Sequence, residues 1–490
     1  MSESNPLASS DISDKSEKKS ANSAGVFARR TVVAGAVWSV PAVMLAQSAS
    51  AVSISCFPVG TVFQAVARGR LLSGFLGGVN LDNVAGVSGV TATAPASGPN
   101  PPDPVVVTGG VNATVLNGIA VNATGLTGTL SSLLTLAAPA TVGTLNQYAE
   151  ASTTGTVRGA SGAITNAGQL ALTPTSGSYP DFGTVNLRAI LAAIGGAGLA
   201  GLLTNVAGLT LQIGALTGRA ALQSACVPGS DNLQRDYQIT RLNLVLTSPT
   251  LNTIATTVQG LLTAVSSLTL GAATINLAGI FGTALPGGAQ PIQLLIPTTP
   301  ASSTNPAVLT IDLAALFGPA PGQPGNTPFG SYASYLNDLP PNSTLFLDNG
   351  LQVPGSVLGA FTAALLTELS ARLLANISLL GVSLADGGGG TVRGALLGLI
   401  NTLLTATLPP LLTTLQNAVL TPVFTALRDV IQIDVNAQNR STNPTGPAVL
   451  EALPVGRYDV AALYIRAVGL VNLLDLFIAR GSVGPNVRTG

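Results

Sequence analysis

Hydrophobic and small polar residues alternate along much of this 490-residue chain with the two-residue period of a half-buried strand. Residues 57–82 (FPVGTVFQAVARGRLLSGFLGGVNLD) predict one or two strands, and residues 91–110, rich in Pro, Gly and Ala, predict a loop. Residues 111–122 and 145–171 read as meandering strands with Gly and Asn turns, and Asn166-Ala167-Gly168 is expected at a hairpin tip. The clearest strand pair is 207–216 with 236–247, where Ile239, Leu242, Leu244 and Leu246 give a mostly alternating pattern. Further strands are expected at 273–278, 291–296, 307–313 and 344–348, the last closed by the turn Asp348-Asn349-Gly350. Residues 430–435, 458–468 and 471–483 return to strand patterning.

Helical periodicity interrupts this in two main places. Ser248-Pro249 opens one helix to about residue 267, with an N-cap residue ahead of proline at the first helical position. Residues 356–380 form the strongest helix, with Glu368 four residues ahead of Arg372 in the favourable order. A further helical stretch, 392–428, contains Pro409-Pro410 and is expected to bend or split there. A short helix over 186–204 is weakened by Gly195, Gly196, Gly198 and Gly201. The expected class is therefore mainly β with inserted helices (α+β): antiparallel, sandwich-like layers plus helical segments near 249–267 and a helical hairpin within 356–428. One β-rich domain is expected over 52–490.

The first 51 residues do not belong to this pattern. A polar segment ends in Arg29-Arg30, an apolar run occupies 31–46, and Ala49-Ser50-Ala51 is a small-x-small site. These are the three regions of an export signal with a twin-arginine-like character, cut after Ala51. The apolar run is shorter than the roughly 20 residues of a membrane span. The uncharged stretch 394–427 is long enough to span, but its double proline, threonines and asparagines favour a buried or partly exposed helical hairpin, and no span is expected in the mature chain.

Composition narrows the chemistry. Only 8% of residues are charged, and Lys plus Arg balance Asp plus Glu at 20 each, which gives no footprint for nucleic acid. Histidine is absent. The lysines (Lys15, Lys18, Lys19) and the single tryptophan (Trp38) all precede Ala51. Ser-His-Asp, Cys-His, Ser-Lys and Schiff-base machinery cannot be assembled from the residues beyond Ala51. A carboxylate pair could still hydrolyse a glycoside, yet the only glutamates after Ala51 are Glu150, Glu368 and Glu451. Asp82-Asn83, Asp231-Asn232 and Asp348-Asn349 sit at turns without calcium-loop spacing. No cofactor and no metal site are expected. In an exported chain the two cysteines, Cys56 and Cys226, are expected to pair.

Four segments carry a resemblance: RGRLLSGFLGGVNLD (68–82), LNQYAEASTTGTVRGASGAI (145–164), RLNLVLTSPTL (241–251) and GSVGPN (481–486). Their order resembles the choice-of-anchor G family of actinobacterial surface proteins. The resemblance implies an exported cell-envelope protein held by one of several C-terminal anchors, and it supplies no catalytic residues. No sorting motif, apolar helix or basic tail comes after the last segment, so release, non-covalent retention or a longer natural chain is expected. The function expected from all this is a non-enzymatic surface or secreted protein with a structural or adhesive role, its partners being envelope material or neighbouring surface proteins. The alternatives are a module binding a small ligand or cell-wall glycan and, more remotely, a carboxylate-based glycoside hydrolase.

Overall fold

The structure is a computed structural model. It describes residues 60–489 apart from 86, 112–118, 122–127, 138–145, 173–180, 225–231, 270–272, 289, 319–327, 330–331, 346–354, 387–389, 440–455, 469 and 471–472. The chain divides into two compact units, Met1–Ser53 and Ile54–Gly490; the first lies outside the described residues.

Five strands come first: β1 (Phe63–Leu76), β2 (Val90–Ala94), β3 (Val105–Gly110), β4 (Asn146–Ala151) and β5 (Thr156–Gly162). Next come β6 (Gly183–Asn186), α1 (Leu187–Ile194), α2 (Ala197–Asn205), β7 (Gly208–Ile213), β8 (Leu216–Gln223), β9 (Leu233–Ile239) and β10 (Leu242–Thr247). The middle holds α3 (Pro249–Leu268), β11 (Ala273–Ile275), α4 (Leu277–Phe281), β12 (Ile292–Leu295), β13 (Val308–Asp312) and α5 (Leu313–Phe317). After α6 (Gly355–Asn376) come β14 (Ile377–Leu379), β15 (Val382–Ser383), α7 (Gly390–Thr402), α8 (Leu408–Leu415) and α9 (Thr421–Val430). Three long strands close the chain: β16 (Ile431–Gln438), β17 (Tyr458–Ala467) and β18 (Leu474–Val483).

The result is a mixed α+β fold with several antiparallel sheets. The central sheet has eight strands, with Ser343–Thr344, β16, β17, β18, β1 and Val79–Asn80 in order and both β2 and Val487–Arg488 also on β1. A five-stranded sheet runs β9-β8-β5-β4-β3. A six-stranded sheet runs β12-β13-β10-β7-β6 and ends on Leu134–Leu136. A small sheet joins β11, β14 and β15.

Local sequence accounts for the elements. Ser248 caps α3, its hydroxyl accepting the Leu251 N–H at 3.0 Å, with Pro249 at the first turn. Leu251, Ile254, Ala255, Val258, Leu262 and Val265 form its buried stripe. Gly195 and Gly196, with φ of 69° and 105°, separate α1 from α2 where one weak helix was expected. The hairpin tip at 166–168 is present: Thr165 and Gln169 pair across it and the Gly168 N–H donates to Thr165 O. The 207–216/236–247 pair is present in part. β10 pairs β7 with Leu244 opposite Leu211, but the second run is cut at Thr240–Arg241, and β9 joins β8 in another sheet. Residues 91–110 are a loop only in their middle, because β2 and β3 occupy the two ends.

The double proline gives no reversal. Gly390–Val430 is one 41-residue helix, in which π-type turns at Leu403–Thr407 and Gln416–Leu420 flank α8. Pro409 and Pro410 offer no N–H, and the wider turn just before them relieves the ring clash with the preceding carbonyls. No hairpin forms within this stretch. The 111–122 strands and the Asp348-Asn349-Gly350 turn lie largely or wholly outside the described residues.

One large core joins the upper half of the central sheet, the six-stranded sheet and the helices. Ile465, Leu476 and Ile478 belong to it with Leu211, Leu244, Val258, Leu365 and Leu412. A second, Ala-rich core lies between the central and five-stranded sheets and includes Ala65, Ala67, Ala149, Ala151, Ala220 and Val483.

Candidate functional site

The two sheets around the Ala-rich core meet through glycine. A Cβ added at Gly69 would lie under 3.0 Å from the Tyr148 and Ala160 carbonyl oxygens, and one at Gly159 would strike those of Arg68 and Ser482. A Cβ at Gly218 would meet Ala479 O, and one at Gly481 would meet Gly159 O and Ala220 N. These contacts are backbone to backbone, closer than the ~10 Å spacing of sheets separated by ordinary side chains. No rotamer change relieves them.

The closest approach falls where the central sheet bends. Ala479 in β18 and Asn436 in β16 carry φ of 53° and 56°, in the left-handed region that L residues avoid. They share one row across the sheet: the ladder pairs Val435–Leu463 and Ala437–Ala461, then Ala461–Arg480 and Leu463–Ile478, leaving Asn436, Ala462 and Ala479 between. Side chains from the five-stranded sheet fill the break. Gln147 Oε1 accepts the Leu71 N–H at 3.0 Å. Ser161 Oγ donates to Arg70 O at 2.9 Å and to Arg480 O at 3.0 Å. Gln147 and Ser161 are both buried.

The bend also shifts which side chains share a face. Arg480 lies over the Phe477 ring at 5.4 Å, and Phe477 stacks on Tyr464 with centroids 4.2 Å apart. Below the bend this face carries Arg457, Asp459, Arg480 and Ser482; above it lie Tyr464 and Asp475. All are buried. Asp459 pairs with both Arg457 and Arg480 and accepts the Ser482 hydroxyl at 2.5 Å. Burial alone would raise the Asp459 pKa, but Arg480 and then Arg457 outweigh it and hold the carboxyl down at about 2. Asp475 is the opposite case. It is 0% exposed, and neither its oxygens nor the Tyr464 hydroxyl beside it makes a hydrogen bond of good geometry. Burial, only partly offset by Tyr464 and Arg466, pushes its pKa up to about 6. Arg466 turns instead to Gln432, donating at 2.6 Å.

A cavity of about 10 Å³ lies between Asn439, Asp459, Phe477 and Arg480, room for about one water. A larger cleft of about 180 Å³ is lined by Gln290, Pro291, Ile292, Val357, Ala360 and Phe361. Both are smaller than the roughly 300–1,000 Å³ usual for a small-molecule site.

The sequence-predicted residues are dispersed. Glu150 accepts the Tyr148 hydroxyl at 2.7 Å and pairs with Arg158. Glu368 accepts the Gly287 N–H at 2.6 Å and pairs with Arg372, which donates on to the carbonyls of Ile280, Thr283 and Ala284. That backbone bond, ahead of Arg372, lowers the Glu368 pKa. Asp82 ties Arg70 to the Gly74 N–H. Glu451, Asp231 and Asp348 lie outside the described residues, as do Arg29, Arg30 and Ala51. The disulfide expected between Cys56 and Cys226 is withdrawn: both cysteines lie outside the described residues, and nothing found supports the pairing. Among the described residues no three His, Cys, Asp or Glu side chains converge as for a metal. Sequence reasoning missed Asp459, Asp475 and Arg480. Their signal was charge inside strands otherwise almost wholly apolar.

Residues 67–316 match a family described as Domain of unknown function (DUF8394). The chain belongs to this family. The match runs from within β1 through most of α5 and excludes β16–β18, which share the central sheet with β1 and of which β18 pairs with it. No curated protein and no solved structure matches the chain. Nothing found ties the chain to the choice-of-anchor G family expected from the motifs, to actinobacteria or to secretion.

Proposed function

We propose that this DUF8394 chain is a non-catalytic structural protein that works outside the cytoplasm. One observation carries the structural part: the most distinctive sequence segments are used up in packing. Gly69, Gln147, Gly159, Ser161 and Gly481 all serve the contact between two sheets, and Glu150, Glu368 and Asp459 are engaged in ion pairs. The export part rests on the Arg29-Arg30, apolar-run and Ala49-Ser50-Ala51 pattern. Contact with envelope material or with neighbouring surface proteins suits the weakly charged exterior.

Fractionation of native cells with mass spectrometry of the chain termini tests this reading. The expected product begins at Val52 and is found in the envelope or the medium. An intact N-terminus in the cytosol would overturn it. A second reading, a module for a small ligand or glycan, would use the cleft between Gln290 and Phe361, which at about 180 Å³ admits only a ligand smaller than usual. Saturable binding abolished by Phe361→Ala would support it.

A further inference from the structure

Arg466 has an acceptor on each side and uses one. The ladder sets Gln432 of β16, Arg466 of β17 and Asp475 of β18 in one row across the central sheet. Neighbouring strands lie ~4.8 Å apart, so the Arg466 head reaches either neighbour by side-chain rotation alone. It is turned to β16, where its Nε donates to Gln432 Oε1 at 2.6 Å. Gln432 Nε2 donates in turn to Asp434 Oδ2 at 2.6 Å, and Asp434 Oδ1 accepts the Thr344 hydroxyl. Thr344 lies opposite Asp434 in the two-residue strand Ser343–Thr344, which forms that edge of the sheet. A hydrogen-bonded line therefore runs from the middle of the sheet to its edge. Asp475 sits beside its inner end and is not part of it.

Among the described residues, few titratable or charged groups face Asp475. β17 brings Tyr464 and Arg466, the two side chains that act on it. On β18 the next charge is Arg480, held by Asp459. β1 sets Phe75 opposite Asp475, and its Arg70 is paired with Asp82, which also accepts the Gly74 N–H. β16 brings Asp434, itself buried. With Arg466 turned away, the geometry is that of a protonated Asp475. Once ionised, Asp475 is a buried carboxylate without a counterion, and a glutamine amide is a weaker acceptor for the guanidinium than that charge. Arg466 then turns to β18. Asp434 is left worse off: burial pushes its pKa up, and Thr344, Gln432 and Arg466 are what work against this. A buried carboxylate deprived of its counter-charge gains by reaching water, and a two-residue edge strand is the least costly part of the sheet to open.

We propose that Asp475, Arg466, Gln432, Asp434 and Thr344 form a proton-operated relay that releases the Ser343–Thr344 edge strand when the Asp475 carboxyl ionises. In mild acid Arg466 stays on Gln432 and the edge is held. Near neutral pH Arg466 pairs with Asp475 and the edge loosens. The relay couples the acidity of the surroundings to the border of the central sheet, and it does not depend on the export reading, which fractionation tests separately.

Hydrogen exchange of the full chain at pH 4 and pH 7.5 is the test, corrected for the intrinsic pH dependence of exchange. The Asn342 and Leu345 N–H groups, which donate to Asn436 O and Ile433 O, report the edge. Their protection in wild type should fall about tenfold on going to pH 7.5, the equilibrium weight of one hydrogen bond's net contribution. Asp475→Asn stays neutral at both pH values and controls for Asp434 and every other titrating group; its edge should keep its protection. Gln432→Met, which breaks the line, should leave the edge poorly protected at both. In protein labelled with ¹⁵N-arginine, the Arg466 Nε–H signal, assigned by its loss in Arg466→Lys, should move between the two pH values in wild type and stay fixed in Asp475→Asn. The lost protection should be insensitive to low urea, the mark of local opening. Equal edge protection at both pH values in wild type, or the same fall in Asp475→Asn, would overturn the proposal. So would a fixed Arg466 signal in wild type, or a urea-sensitive loss, which would assign the change to global unfolding.

Discussion

Asp475 and Asp459 occupy one face of one sheet, yet their surroundings push their protonation in opposite directions. Asp475 titrates at about 6 when folded, against 3.8 for an ordinary aspartate. Between those values the folded chain holds a proton that the unfolded chain has released. Stability from this group therefore falls as pH rises from about 4 to about 6 and stays at the lower level above that. Asp475→Asn removes the buried charge and should stabilise the protein at pH 7.5 by up to about 3 kcal/mol, the free-energy equivalent of the shift, with the gain nearly gone at pH 4. Urea midpoints of both proteins at the two pH values check this; an equal effect at both would refute it. Asp459 has the reverse sign. Its depressed pKa of about 2 contributes stability that is present above about 4 and lost only as pH falls from 3.8 toward 2. Asp459→Asn at neutral pH leaves the buried Arg457 and Arg480 without their shared carboxylate and should destabilise by about 3–5 kcal/mol, read from the same denaturation curves.

Individual elements obey their local chemistry closely wherever that chemistry is local. Ser248→Ala should cost about 1 kcal/mol through the lost α3 cap, measured as a lowered urea midpoint with an unchanged slope. The cap, the Pro249 start and the Glu368–Arg372 pair were legible in the sequence because each depends on residues within one helical turn. Other features were not. Alternation in 236–247 changes phase at Thr240–Arg241, between Ile239 and Leu242; a phase change marks a break, but it does not tell that β9 and β10 belong to different sheets. Val105–Gly110 was masked by the prolines just before it. The proline rule gave the right place for a disturbance at Pro409-Pro410 but not its form, because a π-type turn absorbs the missing donors without reversing the helix. The left-handed Ala479 had no signal at all, since alanine carries no preference for that conformation. The buried polar face was half legible: Asp459, Asp475 and Arg480 stand out as charges in otherwise apolar strands, but only the packing shows that they are buried.

For the whole molecule the decisive feature is that two sheets touch backbone to backbone. In the sequence Gly69, Gly159, Gly218 and Gly481 look like turn residues or breaks in alternation, because close approach between distant segments leaves no local mark. Only the assembled fold shows that these segments serve the sheet contact, and that is the basis for reading the chain as a framework protein. Gly260 supplies the comparison. It lies mid-way along α3 with nothing near its missing side chain, so Gly260→Ala should stabilise by roughly 0.5–1 kcal/mol through helix propensity. Gly159→Ala should do the opposite, since its methyl would overlap the Arg68 and Ser482 carbonyls, with a loss of at least about 1–3 kcal/mol expected for overpacking. The most direct measurement is thermal unfolding of these two variants beside wild type. A lowered midpoint for Gly159→Ala with a raised midpoint for Gly260→Ala is the expected result. A Gly159→Ala protein that unfolds at the wild-type temperature would contradict the claim that glycine contact locks the two sheets.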